Sequence, residues 1–232
     1  MSANKLWCLS EVDIFQDLTE QELSNLAARA PMQTVDTGTV FYSPEQRTEV
    51  LFILKKGRVR IFRLSPSGKA LTTAVVTPGT IFGEMAIIGQ HMHDQYAEAL
   101  EACVICLMSR EDVRQMLLSD PRIAARITET LGNRLVELEQ RLGDFAFKNV
   151  PQRIVSTLLT LSRADRMRQR WPLSRGAAEV RFTHEQIAEF VGTYRETATK
   201  VLNELREQGL IELRRGKIVL LDMPALEALA EE

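Results

Sequence analysis

Residues Phe182 to Ile211 read FTHEQIAEFVGTYRETATKVLNELREQGLI, and their spacing sets two short amphipathic helices end to end. In the first, Thr183 serves as N-cap and Gln186 closes a capping box, so side chains satisfy backbone N–H groups that the helix leaves without partners. Ile187, Ala188 and Val191 fall on one apolar face, and Gly192 ends the run. The second helix is predicted to start at once, with Thr193 as its cap and Glu196 completing a second box. Its apolar positions are Ala198, Val201, Leu202 and Leu205, at i, i+3, i+4 and i+7. Glu196, Thr199, Lys200 and Asn203 are left on the opposite face, with Arg195 flanking the first turn. Groups that can hydrogen-bond base edges thus gather near a helix N-terminus, as a helix-turn-helix requires.

Two ordinary packed helices with a solvated charged face would share part of this pattern. Three features favour nucleic acid. The turn is one glycine long, and the small Ala188 and Ala198 permit close helix approach. After Gly209, the run Ile211 to Leu213, Arg214-Arg215-Gly216-Lys217, Ile218 to Leu221 reads as a hairpin with a basic tip. Glu179 to Phe182 (EVRF) supplies a candidate third strand, so a winged helix-turn-helix is expected over 150–232. Charge follows the same division: residues 150–221 carry 13 Lys and Arg against 8 Asp and Glu, whereas the whole chain carries 29 against 31. Positive charge is concentrated where phosphate contacts would form.

The whole chain, 232 residues long, has the apolar and charged fractions of an ordinary globular protein. No stretch approaches the eighteen or so apolar residues of a membrane span, and MSANKLWCLSEVD lacks a signal-peptide core. A cytoplasmic location without membrane contact is the expectation. Three cysteines, Cys8, Cys103 and Cys106, argue against a disulfide framework. Residues 1 to about 30 read as helical, with Ser10 or Asp17 to Thr19 as caps and Leu18, Leu23 and Leu26 as an apolar stripe. From Met32 to about Arg110 come the β-rich runs VFYS, VLFILKKGRVRIFRL, ALTTAVV and YAEALEACVICLMS. Asp36-Thr-Gly, Lys56-Gly, Ser65-Pro-Ser-Gly and Thr77-Pro-Gly separate them as turns, which predicts a small antiparallel barrel or sandwich.

A helix follows Ser109, its capping box closed by Asp112. Asp120-Pro121 then opens the longest periodic segment, running to about Lys148, since Asp as N-cap before Pro is a strong start signal. Leu131, Leu135, Leu138, Leu142 and Phe145 recur at 4, 3, 4, 3, a heptad seam. Packing on the chain's own barrel would use part of this stripe, but a helix this long has more apolar edge than a small barrel covers. A homodimer is therefore expected, and two-fold symmetry suits a reader of two half-sites. Pro151 to Ser162 starts another helix, followed by RADRMRQRWPLSRGAAE, a basic and turn-rich link. The expected class is α+β, in three parts: a β-roll sensor domain (1–120), a dimerisation helix (121–149) and the winged domain (150–232).

In this order the parts resemble the CRP/FNR family of bacterial transcription regulators. The local matches are FGEMAII at 82–88, LGDFAFKNVPQRI at 142–154 and THEQIAEFVGTYRETATKVL at 183–202. The resemblance implies a homodimeric regulator on double-stranded DNA, at inverted repeats similar to TGTGA-N6-TCACA, with RNA polymerase as a partner. Arg195, Glu196, Thr199 and Lys200 become the base-reading residues, and Thr183, Thr193, Tyr194 and Lys217 the phosphate contacts. The family commonly has Arg where this chain has Lys200, and an ammonium cannot present two parallel donors to one base.

Cyclic-AMP-binding members hold the ribose with Gly-Glu, the phosphate with Arg-Ser and the base with Thr-Ser. Gly83 and Glu84 keep the first pair, but a tight turn is the favoured account of them. The other pairs fall on His93 and Asp94, and on Leu138 and Glu139. No Arg lies between Arg63 and Arg110, so a cyclic phosphate would lose its charge-assisted bonds and meet Asp94. No cofactor is predicted, and cyclic AMP is not the expected effector. A cyclic-AMP-gated regulator, or a haem- or redox-sensing one, is the alternative. Cys103 and Cys106 have C-x-x-C spacing but belong to a strand, where odd spacing sends them to opposite faces. His91-Met92-His93 could place two imidazoles on one side of a strand, without a third protein ligand in sight, so no metal site is predicted. A sensory binding module whose roll does the main work is disfavoured by the complete winged motif. Nor does the chain carry a nucleophile-base constellation or a phosphate-binding glycine loop, so no enzyme is expected.

Overall fold

The computed structural model describes residues 15, 17–29, 31–45, 49–85, 91–92, 94–168 and 178–231, and the chain divides into two compact units, Met1–Glu137 and Leu138–Glu232. In the first unit, helix α1 (Glu20–Arg29) starts at Thr19, whose N–H donates to Glu22 Oε2 at 2.7 Å while its Oγ1 accepts from the Glu22 N–H at 3.4 Å. Ser10, the other candidate cap, lies outside the described residues. Eight strands follow among the described residues: β1 (Met32–Val35), β2 (Val40–Tyr42), β3 (Val50–Lys56), β4 (Val59–Leu64), β5 (Ala70–Val76), β6 (Ile81–Gly83), β7 (Tyr96–Ala99) and β8 (Cys103–Ser109). They form two four-stranded sheets of antiparallel pairs, β1-β8-β3-β6 and β2-β7-β4-β5. The expected two-sheet roll is present, with β1 and the three-residue β6 added to the predicted runs.

Strand β3 explains why VLFIL has no polar alternation. Phe52 and Leu54 join Val59, Ile61, Phe82 and Ile105 in one buried cluster, whereas Leu51 and Ile53 join Phe15, Leu23, Val113, Ile123 and Ile127 in another. A strand covered on both faces reads as a continuous apolar run. Strand β8 shares this double burial: Cys103 belongs to the first cluster and Cys106 to the second, as odd strand spacing predicts. Cys103 Sγ lies 3.1 Å from the Glu101 carbonyl oxygen, and burial pushes its pKa up, which keeps the thiol protonated and unreactive. Across β4 and β7, Arg60 Nη2 meets the Glu98 carboxylate at 2.8 Å, and the neighbouring Phe62 and Tyr96 rings stack at 5.2 Å.

Between β3 and β4 the chain turns at Gly57, φ 91°, against β8. A Cβ there would stand 2.6 Å from Cys103 Sγ and 2.7 Å from the Ala102 carbonyl oxygen. Backbone strain and overpacking together should make Gly57→Ala cost about 2 to 3 kcal/mol. Gly68 has a similar φ of 80° but open space around it, so Gly68→Ala should cost only the strain, roughly 1 kcal/mol. Urea unfolding of both variants checks this; equal losses would contradict the close approach at Gly57.

Helix α2 (Arg110–Ser119) begins with the predicted box, the Ser109 N–H donating to Asp112 Oδ2 at 3.0 Å and the Asp112 N–H to Ser109 Oγ at 3.2 Å. Helix α3 (Pro121–Phe147) is 27 residues long, roughly 40 Å, and Asp120 Oδ1 accepts from the Arg122 N–H at 2.9 Å. Its first turns are tied down by Arg126 to Asp17 at 2.8 Å and Arg122 to Glu22 at 2.9 Å. Ile123 and Ile127 are buried. Leu131, expected as the first seam position, packs partly against the same cluster, because this end of α3 lies on the roll. The exposed stripe begins later: Leu135, Leu138 and Leu142 are 58, 53 and 70% exposed.

Candidate nucleic-acid interface

The second unit holds the predicted reader. Helix α4 (Val150–Arg168) starts with Asn149, whose Oδ1 accepts from the Gln152 N–H at 3.0 Å. It runs through 163–168, which the sequence pattern assigns to a link; residues 169–177 are outside the described set. Strand β9 (Ala178–Val180), helices α5 (His184–Val191) and α6 (Arg195–Glu207), strands β10 (Ile211–Arg214) and β11 (Lys217–Leu220) and helix α7 (Met223–Glu231) follow. The three strands form one antiparallel sheet, β10-β11-β9, so the wing is present and its third strand ends two residues before the expected EVRF end. Helix α7 is not among the sequence-based expectations. Its signal is Asp222, whose Oδ1 accepts from the Ala225 N–H at 3.0 Å, with Leu226 and Ala230 buried four apart.

Capping decides where α6 begins. Thr183 and Gln186 make the predicted box at the start of α5, and Gly192, φ 67°, ends it in the left-handed region. The N–H groups of Gly192 and Thr193 both return to the Ala188 carbonyl, the latter at 2.9 Å. Thr193 is thereby spent on closing α5, and Tyr194, extended and without a side-chain cap bond, is the N-cap of α6. The second box expected at Thr193 and Glu196 is absent, and Glu196 stands one position earlier in the helix, still near its positive end.

Ala198, Val201, Leu202 and Leu205 are buried, facing α5 with its buried Ile187, Ala188 and Val191. The face left outside carries Arg195, Glu196 and Lys200, all exposed, with Thr199 and Asn203 half-buried. Tyr194 is 67% exposed beside them. Arg195 and Lys200 are only loosely held, at 3.7 Å from Glu185 and 3.9 Å from Glu204. Exposed pairs of this kind contribute at most about 1 kcal/mol, so a DNA ligand displaces them at little cost. On the wing the expected phosphate contact is differently placed: Lys217 Nζ lies 2.7 Å from the Glu179 carboxylate, whose pKa that bond lowers. The exposed cation at the turn itself is Arg215, part of the expected basic tip but not among the expected phosphate contacts. Arg141 Nη2 donates to the Phe190 carbonyl at 3.1 Å, which fixes α5 to the end of α3.

At the expected effector position, Gly83 is not a turn. It pairs with Leu51 in β6, φ 115°, and a Cβ would collide with the Val50 carbonyl oxygen. Glu84 accepts from the Met92 N–H at 2.6 Å and lies 2.9 Å from His91 Nδ1, and His91 and Met92 belong to no strand. His93 lies outside the described residues, Asp94 is exposed at φ 50°, and Leu138 and Glu139 are exposed on α3. Among the described residues no group of three or more His, Cys, Asp and Glu is placed to hold a metal ion. Sequence reasoning missed Arg134, whose guanidinium donates to the Ile81 carbonyl and whose pKa burial pulls down.

A two-sheet roll, a long helix and an exposed recognition helix with a wing define a DNA-binding regulator of the winged-helix class. Residues 32–120 match the cyclic nucleotide-binding domain and 152–229 the Crp-like helix-turn-helix domain. The chain is similar to the transcriptional regulator SdrP of Thermus thermophilus, 34% identical over 76% of this chain and 81% of that one. It also resembles the CRP-like cAMP-activated global transcriptional regulator of Mycobacterium tuberculosis, 28% identical over 92% and 93%. A crystal structure of a CRP/FNR-family regulator from Thermus thermophilus superimposes with a TM-score of 0.67 at 30% identity, covering 87% of this chain and 99% of that one. The chain belongs to the CRP/FNR family of transcriptional regulators; these relatives are regulators, not enzymes. No helix among the described residues is long and apolar enough to cross a membrane.

Proposed function

We propose that the protein acts in the cytoplasm as a homodimer that binds inverted repeats similar to TGTGA-N6-TCACA. It regulates transcription there together with RNA polymerase, under an unidentified small effector or none. The observation that carries this reading is the exposed face of α6, with Arg195, Glu196, Thr199 and Lys200 side by side. Arg195 offers two donors to guanine O6 and N7, Glu196 accepts from cytosine N4, and Lys200 donates to guanine or a nearby phosphate. Thr183, Thr193, Tyr194 and the helix N-termini meet phosphates, and so does the wing tip, where Arg215 joins Lys217. Selection from a random duplex library tests it. Two half-sites with centres about one helical turn apart should be enriched; enrichment of a single half-site or of none would refute the dimeric reader.

Cyclic AMP is not the effector in this reading. Support comes from Glu84, already engaged by Met92 and His91, from the want of any Arg between Arg63 and Arg110, and from Leu138 and Glu139 in place of hydroxyls. Titration calorimetry should therefore show no binding at micromolar cyclic AMP. A micromolar Kd accompanied by tighter DNA binding would contradict it.

A further inference from the structure

The helical residues Thr128, Thr130, Thr160 and Thr199 place their hydroxyls in two ways. Thr128, Thr130 and Thr160 donate to the carbonyls of Ala124, Arg126 and Ser156, each at 2.9 Å, the common position four residues back. The Thr199 hydroxyl instead lies 3.1 Å from Nδ1 of His184, the first residue of α5. Burial and the charge of Arg195 hold the His184 pKa down, so at neutral pH the ring is uncharged, with one nitrogen a donor and the other an acceptor. At this distance the neutral ring has two arrangements with the hydroxyl: Nδ1 accepts the Thr199 proton, or Nδ1–H donates to Oγ1.

We propose that His184 sets the base preference of Thr199: Nδ1 takes the hydroxyl proton, so Thr199 presents lone pairs to the DNA and selects a base with a major-groove amino group, adenine N6 or cytosine N4. The proposal rests on the reading of α6 as the base-reading helix. His184 is a positioning residue here, acting through Thr199. A donor-only partner reverses the polarity, because a guanidinium at 184 can only donate to the Thr199 oxygen. The hydroxyl proton then turns outward, toward guanine O6 or thymine O4.

The test measures binding of wild type, Thr199→Val, Thr199→Ser, His184→Arg and Glu196→Ala to a selected site carrying every base pair in turn at each half-site position. His184 and Thr199 are only half-buried, and melting temperatures check that the variants are folded. Thr199→Val should lose about tenfold of preference for adenine or cytosine at one position, and Thr199→Ser should keep it. His184→Arg should move that same position toward guanine or thymine, leaving the others as they were. If Thr199→Val changes no preference while Glu196→Ala flattens one, Thr199 reads no base and the proposal falls alone. If Thr199→Val removes a preference that His184→Arg leaves intact, Thr199 acts without His184 and the proposal is overturned. Should neither Thr199→Val nor Glu196→Ala alter any base preference, the reading of α6 itself fails.

Discussion

Leu138→Asp is expected to sediment as a monomer at micromolar protein, where the wild type is expected to sediment as a dimer. Leu138 is 53% exposed in the single chain, so a carboxylate there is tolerated while the chain stands alone. The cost arises on association, when two carboxylates are buried near the dimer axis, about 5 kcal/mol or more in total. The gain from closing the seam is of similar size. Leu135, Leu138 and Leu142 of both chains, 53 to 70% exposed, supply roughly 5 to 11 kcal/mol on burial, against an association cost of about 4 to 15 kcal/mol. Phe147, 90% exposed, and Val136, 52% exposed, add further apolar surface on the same helix. A variant that loses about 5 kcal/mol from this balance does not remain paired. If it does, α3 meets its partner along another face.

The second large effect concerns recognition. Replacing Arg195, Glu196 and Lys200 together by Ala should leave the melting temperature almost unchanged, since all three side chains are exposed and stand clear of the buried Ala198, Val201, Leu202 and Leu205. Affinity for the selected site should nevertheless fall at least about 10³-fold, to the level of unrelated DNA. Each half-site loses several contacts worth about 1 to 3 kcal/mol apiece, and the specific-to-non-specific ratio sets the floor. Residual binding should keep a steep salt dependence, because the phosphate contacts survive. Band-shift titrations against the selected duplex and a scrambled one measure both quantities. Unchanged discrimination between the two would place recognition elsewhere.

Where local rules govern, the sequence is legible: the boxes at Thr183 and Ser109, the Asp120-Pro121 start of α3, and the hairpin of the wing follow from side chains within a few residues of one another. The core face of α6 comes from periodicity alone. Failures have a common cause, namely competition decided by tertiary packing. Thr193 can cap a helix, but its N–H is taken by the turn that closes α5. Leu131 fits the heptad, but that end of α3 lies on the roll. Lys217 is basic and near the wing tip, yet β9 brings Glu179 opposite it, a pairing that spans 38 residues of sequence. The same kind of distant contact joins His184 to Thr199 and Arg134 to Ile81, and neither is visible in spacing.

The central claim, that α6 reads DNA sequence, is tested most directly by binding of wild type and Glu196→Ala to every single-base variant of the selected site, at several salt concentrations. Glu196 is one exposed side chain that can accept from a cytosine amino group. Its loss should flatten discrimination at one base pair per half-site, by about 1 to 3 kcal/mol, with the salt slope unchanged. A uniform loss of affinity with every base preference intact would show that this helix does not read the bases.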